Sequence, residues 1–204
     1  DRRDVLLGAS SIASIPQGAR LGTSAPRRAA QMQNLRPDIE VVLFRGNVAT
    51  RMAKLQAGDA DVTLLAAAGL ERLGEEGVGT PLETGDWLPA PSQGAIGIEC
   101  RADDAATREA LAAIDHAPTR TEIMAERAVL EALGGSCHSP VGMLAIADAG
   151  RVALTAALFS ADGAERVDGE TTLDAQDGDG LRAFAADLLN RATPGIAALF
   201  SQNG

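Results

Sequence analysis

The chain has 204 residues, 46% of them hydrophobic and 23% charged, a balance that excludes disordered, collagen-like and fibrous readings. No apolar run approaches the roughly 18–20 residues needed to cross a membrane, and Asp1-Arg2-Arg3-Asp4 does not open a signal peptide, so a cytoplasmic protein with no membrane partner is expected. The net charge is −10 and only five residues are aromatic, which argues against a nucleic-acid partner.

At typical domain sizes of about 100–150 residues, the length fits one large domain or two small ones, and two are expected. Charge divides the chain in the same sense: eleven Lys and Arg stand against twelve Asp and Glu through Arg101, and seven against sixteen beyond it. Cys100 and Cys137 have no CxxC neighbour and read as free thiols, and with only His116 and His138 beside them no structural metal is expected.

From Ala19 to Gly74, short β-type runs alternate with helical windows, the pattern of βα units feeding a mostly parallel sheet. Residues 19–22 form the first expected strand. Thr23-Ser24 offers an N-cap, Pro26 falls in the first helical turn, and the helix runs to Leu35 before Arg36-Pro37. Residues 39–44 are the next strand. Arg45-Gly46-Asn47 turns the chain into a helix over 48–57, with Gly58 as its C′ residue. Residues 61–65 are a third strand and 68–73 a helix. The Pro/Gly punctuation of residues 87–94 marks a crossing between lobes, followed by a strand over 95–100. Helices are expected over 107–114 and 119–133, the latter with Ile123, Ala125, Val129, Leu130 and Leu133 as its apolar face. After the loop 134–140, three β-type runs (141–147, 151–159, 165–172) and a helix over 180–192 make a small α+β unit.

Seventeen of the eighteen cations are arginine, Lys54 being the single lysine. Arg27, Arg28, Arg45, Arg51 and Arg72 fall at or near successive strand-to-helix junctions. In an open α/β sheet the carboxyl ends of the strands share one edge, so these guanidinium groups are expected to converge on one crevice, beside helix N-termini that favour anions. Such a crevice suits a polyanion, because the guanidinium fork pairs bidentately with carboxylates. Cys137, in a glycine-flanked loop beside His138, is either a ligand-approaching thiol or a small buried residue. Cys100 reads as a buried strand residue. GxSxG, Walker, GxGxxG and HExxH patterns do not occur.

Five ordered blocks, Gly22-Thr23-Ser24-Ala25-Pro26-Arg27-Arg28, the run Leu43 to Arg51, the run Ala66 to Gly74, Leu88-Pro89-Ala90 with Gln93-Gly94-Ala95, and Ile98-Glu99-Cys100-Arg101, resemble the porphobilinogen deaminase (hydroxymethylbilane synthase) family. The resemblance covers essentially the whole chain. It implies a periplasmic-binding-protein-like α/β lobe with a second, smaller α+β domain, divided as 1–93, a return segment 94–117 that completes a first lobe, and a cofactor-attachment domain 118–204. It implies a transferase of tetrapyrrole (haem) biosynthesis that polymerises porphobilinogen into hydroxymethylbilane with release of ammonia. The primer is a dipyrromethane cofactor, covalently held in the family by the cysteine matching Cys137. Thr23, Ser24, Arg27, Arg28, Arg45, Arg51 and Arg72 match the positions that grip its acetates and propionates. The family's catalytic aspartate lies in an N-terminal lobe preceding every matched block, so no residue here takes that role. The chain is expected to be a C-terminal fragment without turnover by itself. Ala25 stands where the family commonly has a second serine, and Ser136 separates the glycine pair from Cys137. The full-length family implies a monomer, whereas an isolated return strand is expected to be mobile, swapped or docked on a neighbour. The alternative function is a non-catalytic module that binds a small polyanion.

Overall fold

The structure is a computed structural model that describes residues 1–75 and 77–200. Residues 201–204 of the expected C-terminal domain lie outside the described residues.

The first half is built as β1 (Asp4–Leu7), β2 (Arg20–Thr23), α1 (Pro26–Leu35), β3 (Glu40–Leu43), α2 (Val48–Gln56), β4 (Val62–Ala66), α3 (Ala67–Arg72) and β5 (Thr80–Pro81). Its strands form one five-stranded sheet in the order β3-β2-β4-β1-β5. β2 runs parallel to β3 on one side and to β4 on the other, which makes β2 the switch point from which successive crossovers go opposite ways. The sheet is mixed and not mostly parallel as expected, because β1, which the sequence pattern did not reveal, pairs antiparallel with β4 and with β5. β1 is buried on both faces, so its four residues show no alternation and have no period-2 signature.

Helix and turn chemistry follows the sequence with one correction. α1 is capped by Ala25 and not by Thr23 or Ser24, and its cap lacks a side-chain hydrogen bond. The Thr23 hydroxyl instead accepts from the Ala25 N–H at 3.1 Å, which turns the chain out of the strand before Pro26 starts the helix. Asn47 caps α2, its Oδ1 accepting from the Thr50 N–H at 2.9 Å, and Gly58 closes it with φ +78°. Leu6, Leu21, Met32, Val62, Leu64 and Trp87 make the main core of this half.

The second half contains α4 (Ala105–Ala112), α5 (Ala117–Ala132), β6 (Val141–Asp148), β7 (Arg151–Phe159), β8 (Arg166–Asp174), α6 (Gly178–Arg191) and α7 (Pro194–Ala197). β6, β7 and β8 are an antiparallel meander. Ala125 and Val129 of α5, Leu133 at its C-cap, and Leu181, Phe184 and Leu188 of α6 cover one face of it and close a single core. Of the expected α5 face, Ile123 and Leu130 are only partly buried.

The expected strand over 95–100 does not form. Residues 94–103 are exposed, and 95–101 belong to no sheet, because among the described residues no strand lies beside them to take their hydrogen bonds. Cys100 is therefore exposed and not the buried strand residue expected.

The two halves meet along α1. Ala30 of α1 packs with Leu88, Ala157 and Phe159, the Asn34 amide donates to the Gly163 carbonyl at 2.9 Å, and the Met143 N–H donates to the Pro89 carbonyl at 2.9 Å. Two carboxylates of α5 finish the exposed edge of β6. Glu126 accepts from the Ala145 N–H at 2.8 Å, Glu122 from the Ala147 N–H at 3.2 Å, and the edge is thereby closed to further pairing.

Candidate functional site

The carboxyl ends of β2, β3 and β4 lie side by side, and the chain leaves them through Ser24, Phe44-Arg45 and Ala67 respectively. Two of these exits need glycine. An added Cβ on Gly22 would sit 2.5 Å from the Phe44 ring, and Gly46 turns from Arg45 towards α2 with φ +117°. The edge therefore carries the N-termini of α1 and α2 close to the predicted arginines.

The arginines divide into two groups. Arg27 and Arg28, in the first turn of α1, are buried and close on Asp4 of β1. Arg27 donates to Asp4 Oδ2 at 2.8 Å, and Arg28 donates to Oδ1 through Nη2 at 2.6 Å and Nε at 3.2 Å. Trp87 Nε1 and Gln93 Nε2 complete the shell of this carboxylate at 2.7 and 2.9 Å. Burial pushes the Asp4 carboxyl up, but the Arg27 and Arg28 charges and the hydrogen bonds from Arg28 and Trp87 outweigh it and hold the group well below the usual carboxylate range. Burial likewise pulls the Arg27 pKa down, against the pull of Asp4.

Arg45, Arg51 and Arg72 belong to no ion pair among the described residues. Arg51 is half-buried, its Nε donates to the Gly46 carbonyl at 3.0 Å, and its Nη2 reaches the Ser24 hydroxyl at 3.4 Å. Its pKa is lowered first by burial and then by the Arg28 charge, so this corner of the crevice holds positive charge in excess. Arg45 is exposed at the same sheet edge, and Arg72 is exposed at the far end of α3. The structure thus joins Ser24, Arg28 and Arg51, turns Arg27 and Arg28 inward onto a carboxylate, and leaves Arg45 and Arg72 as separate surface cations. Thr23 is buried and committed to the turn.

Cys137 is an exposed free thiol. Its loop leaves α5 through Gly134, with φ +68°, and is braced by itself: the Ser136 N–H donates to Ser139 Oγ at 3.0 Å, the Ser139 N–H to the Ser136 carbonyl at 3.0 Å, and the His138 N–H to Ser136 Oγ at 3.2 Å. Ser136 therefore organises the loop whose tip presents the thiol.

Three residues of the site escaped sequence reasoning. Asp4 is the counter-ion of the twin arginines. Gln93 links Asp4, Arg27 Nη2 at 3.1 Å and the Arg2 carbonyl at 2.9 Å. Glu126 accepts from the Ser92 N–H at 2.6 Å, and so ties α5 to the segment that holds Gln93. The one available signal was the acid that opens the apolar run Asp4-Val5-Leu6-Leu7.

These features define a class: an α/β protein with a cationic crevice at the carboxyl edge of its sheet, joined to a small α+β unit that presents an accessible thiol. A family model described as porphobilinogen deaminase, dipyromethane cofactor binding domain, matches residues 1–109, and one described as porphobilinogen deaminase, C-terminal domain, matches residues 120–183. The chain belongs to the porphobilinogen deaminase family. Porphobilinogen deaminase of Sphingopyxis alaskensis is 57% identical over 196 residues, covering 96% of this chain and 62% of that protein. The enzymes of that name from Xanthomonas oryzae pv. oryzae and Xanthomonas campestris pv. campestris are 51% and 50% identical over 137 residues, covering 67% of this chain and 45% of each relative. The chain therefore spans less than two thirds of the length of these relatives. No helix among the described residues is long and apolar enough to cross a membrane.

Proposed function

We propose that this chain supplies the cofactor-bearing and carboxylate-gripping parts of a cytoplasmic transferase of tetrapyrrole biosynthesis, which joins porphobilinogen units into hydroxymethylbilane with release of ammonia. In this reading residues 1–93 grip, residues 118–204 carry a dipyrromethane as a thioether on Cys137, and residues 94–117 bind to a further lobe. The dipyrromethane, when bound, supplies the pyrrole carbon to which each unit is added.

The observation that carries the reading is the split among the arginines. A cofactor bearing acetates and propionates calls for cations that no protein carboxylate has neutralised, and Arg45, Arg51 and Arg72 fit. Arg28 fits too. With Nε and one N–H of Nη2 on Asp4, and one N–H of Nη1 on the Leu64 carbonyl at 3.0 Å, it retains one N–H on each terminal nitrogen. Arg27 uses three of its four Nη N–H groups on Leu88, Asp4 and Gln93, and acts through its charge and by seating the helix. Ser24, beside Arg51, offers a hydroxyl to the same carboxylates. The exposed thiol of Cys137 meets the steric demand of a thioether.

Intact mass of the full-length protein tests this: the mass exceeds that of its own polypeptide by one dipyrromethane, and the excess disappears in Cys137→Ala. An unmodified wild-type mass would overturn the assignment. No residue of this chain is assigned the catalytic carboxylate, so hydroxymethylbilane production by the 204-residue chain alone would overturn the division of labour.

A further inference from the structure

Gln93 stands half-buried where the chain passes Asp4 on leaving the lobe, and all four hydrogen-bonding positions of its amide are taken. Nε2 donates to Asp4 Oδ1 and to the Arg2 carbonyl, each at 2.9 Å, while Oε1 accepts from Arg27 Nη2 at 3.1 Å and from the Ala90 N–H at 3.4 Å. The amide has one workable orientation. Exchanging its oxygen and nitrogen would set an acceptor against a carboxylate and a carbonyl, and a donor against a guanidinium.

The turn that aims Gln93 is itself strained. Pro91 and Ser92 form its centre, and the Gln93 N–H closes it on the Ala90 carbonyl at 3.0 Å. Ser92 has φ +64°, at the place where a Pro-led turn with this sign of φ ordinarily takes glycine. Glu126 secures the Ser92 N–H at 2.6 Å. On the other side Gly94, with φ +82°, lies so close to the first residues of the chain that an added Cβ would sit 2.5 Å from the Asp1 carbonyl oxygen. A serine kept in the left-handed region by bonds on both sides marks a place where the direction of the next side chain outweighs the ease of the backbone.

What Gln93 meets there is a carboxylate whose rotation its neighbours must set, because the last torsion of an aspartate is soft. Trp87 Nε1 and Arg27 Nη2 hold Asp4 Oδ2 at 2.7 and 2.8 Å, and Gln93 holds Oδ1. With Oδ2 taken, Arg28 places both Nε and Nη2 on Oδ1 and does not fork across the two oxygens. One carboxylate also faces two guanidinium groups, with none of the three side chains more than 9% exposed, so the cluster carries one surplus positive charge.

We propose that Gln93 is the positioning residue that directs this surplus to Arg28, the residue to which the function proposed above gives a gripping role. By fixing Oδ1 of Asp4 it holds Arg28 edge-on with an N–H free on each terminal nitrogen, and by taking the second N–H of Arg27 Nη2 it reserves Arg27 for the fold.

Side-chain hydrogen exchange of the full-length protein, followed by NMR, tests this without a ligand. Arg28 Nε–H reports on Oδ1 and Trp87 Nε1–H on Oδ2 of the same carboxylate. In Gln93→Met, which keeps the length and loses the amide, Arg28 Nε–H is expected to exchange about tenfold faster while Trp87 Nε1–H is unchanged. Both signals speeding up together, neither changing, or a variant that does not fold would make Gln93 a general support of the lobe and overturn the proposal. The wild type gives a reading of its own: Gln93 Nε2 protons that exchange as fast as those of free glutamine contradict the positioning, and protected ones support it. Calorimetric titration with a preformed bilane supplies the second test. Gln93→Met is expected to weaken binding about tenfold in the wild type and in Arg72→Lys, but less than about threefold in Arg28→Lys, because a residue that acts through Arg28 has little left to lose there. Equal losses in all three backgrounds would overturn the proposal. A wild type that binds no bilane and carries no adduct on Cys137 would sink the function proposed above, and the exchange rates would still decide the role of Gln93.

Discussion

Replacing Asp4 by Asn removes the negative charge that Arg27 and Arg28 share while keeping the volume of the side chain. In the wild type one carboxylate, itself about 1% exposed, accepts from both guanidinium groups, from Trp87 and from Gln93. The amide of Asn would turn an N–H towards donors on at least one side, and two buried cations would face each other without a counter-ion. Breaking a buried pair by deleting one partner costs about 3–5 kcal/mol. The two pairs share one acceptor, so the losses do not add, and about 4 kcal/mol is the expected loss from a total of about 5–15 kcal/mol. At roughly 2–4 °C per kcal/mol for a chain of this size, Tm falls by about 8–16 °C. Urea unfolding at pH 7 measures the loss as a lower midpoint at unchanged slope. A carboxyl held below its ordinary value of 3.8 contributes stability that is fully present above that pH and is lost as pH falls below it. The wild type should lose stability below pH 3.8 more steeply than Asp4→Asn. A loss under about 1 kcal/mol at pH 7, the range of an exposed pair such as Arg166–Asp168, would refute the role given to Asp4.

Other outcomes follow from the same geometry. Arg51→Lys keeps the charge but loses the fork, and is expected to weaken binding of a preformed bilane about tenfold in calorimetric titration, with unfolding changed by less than about 0.5 kcal/mol; equal affinity would reduce Arg51 to a point charge. Glu126→Gln leaves the Ser92 or Ala145 N–H facing an amide donor and is expected to cost about 1–3 kcal/mol. Burial first, and then the Glu122 charge, raise the Glu126 carboxyl against the bonds from Ser92 and Ala145 and the Arg2 charge, so the wild type loses stability as pH rises through that raised value and the deficit of the Gln variant shrinks; a deficit that grows with pH from 4.5 to 7 contradicts this. Gly22→Ala drives a methyl group into the Phe44 ring, and a lower urea midpoint worth about 1–3 kcal/mol is expected, with an unchanged midpoint showing that the ring yields freely.

Much of the fold could be read from local pattern. Pro26, Asn47 and Gly58 mark helix ends because each acts within one turn of backbone, and the three strands of the meander were visible because alternation is a property of neighbours in sequence. β1 was not legible, since a strand buried on both faces has no alternation to show. The run 95–100 read as a strand for the same local reason that the others did, yet a strand exists only where another supplies its hydrogen bonds, and among the described residues none lies beside it. Cys100 was misplaced with it.

The candidate site shows the same division more sharply. Sequence alone established that arginines follow strand ends and that one cysteine sits in a glycine-flanked loop, because junctions and loops are set by the residues around them. Only the tertiary structure decided which of those cations are free. Charge compensation depends on distance in space, and sheet pairing brings Asp4 to Arg27 across 23 positions of sequence and to Trp87 across 83. That fold-made neutralisation buries two of the five predicted arginines and leaves three facing outward, a distinction that residue identity and spacing do not carry.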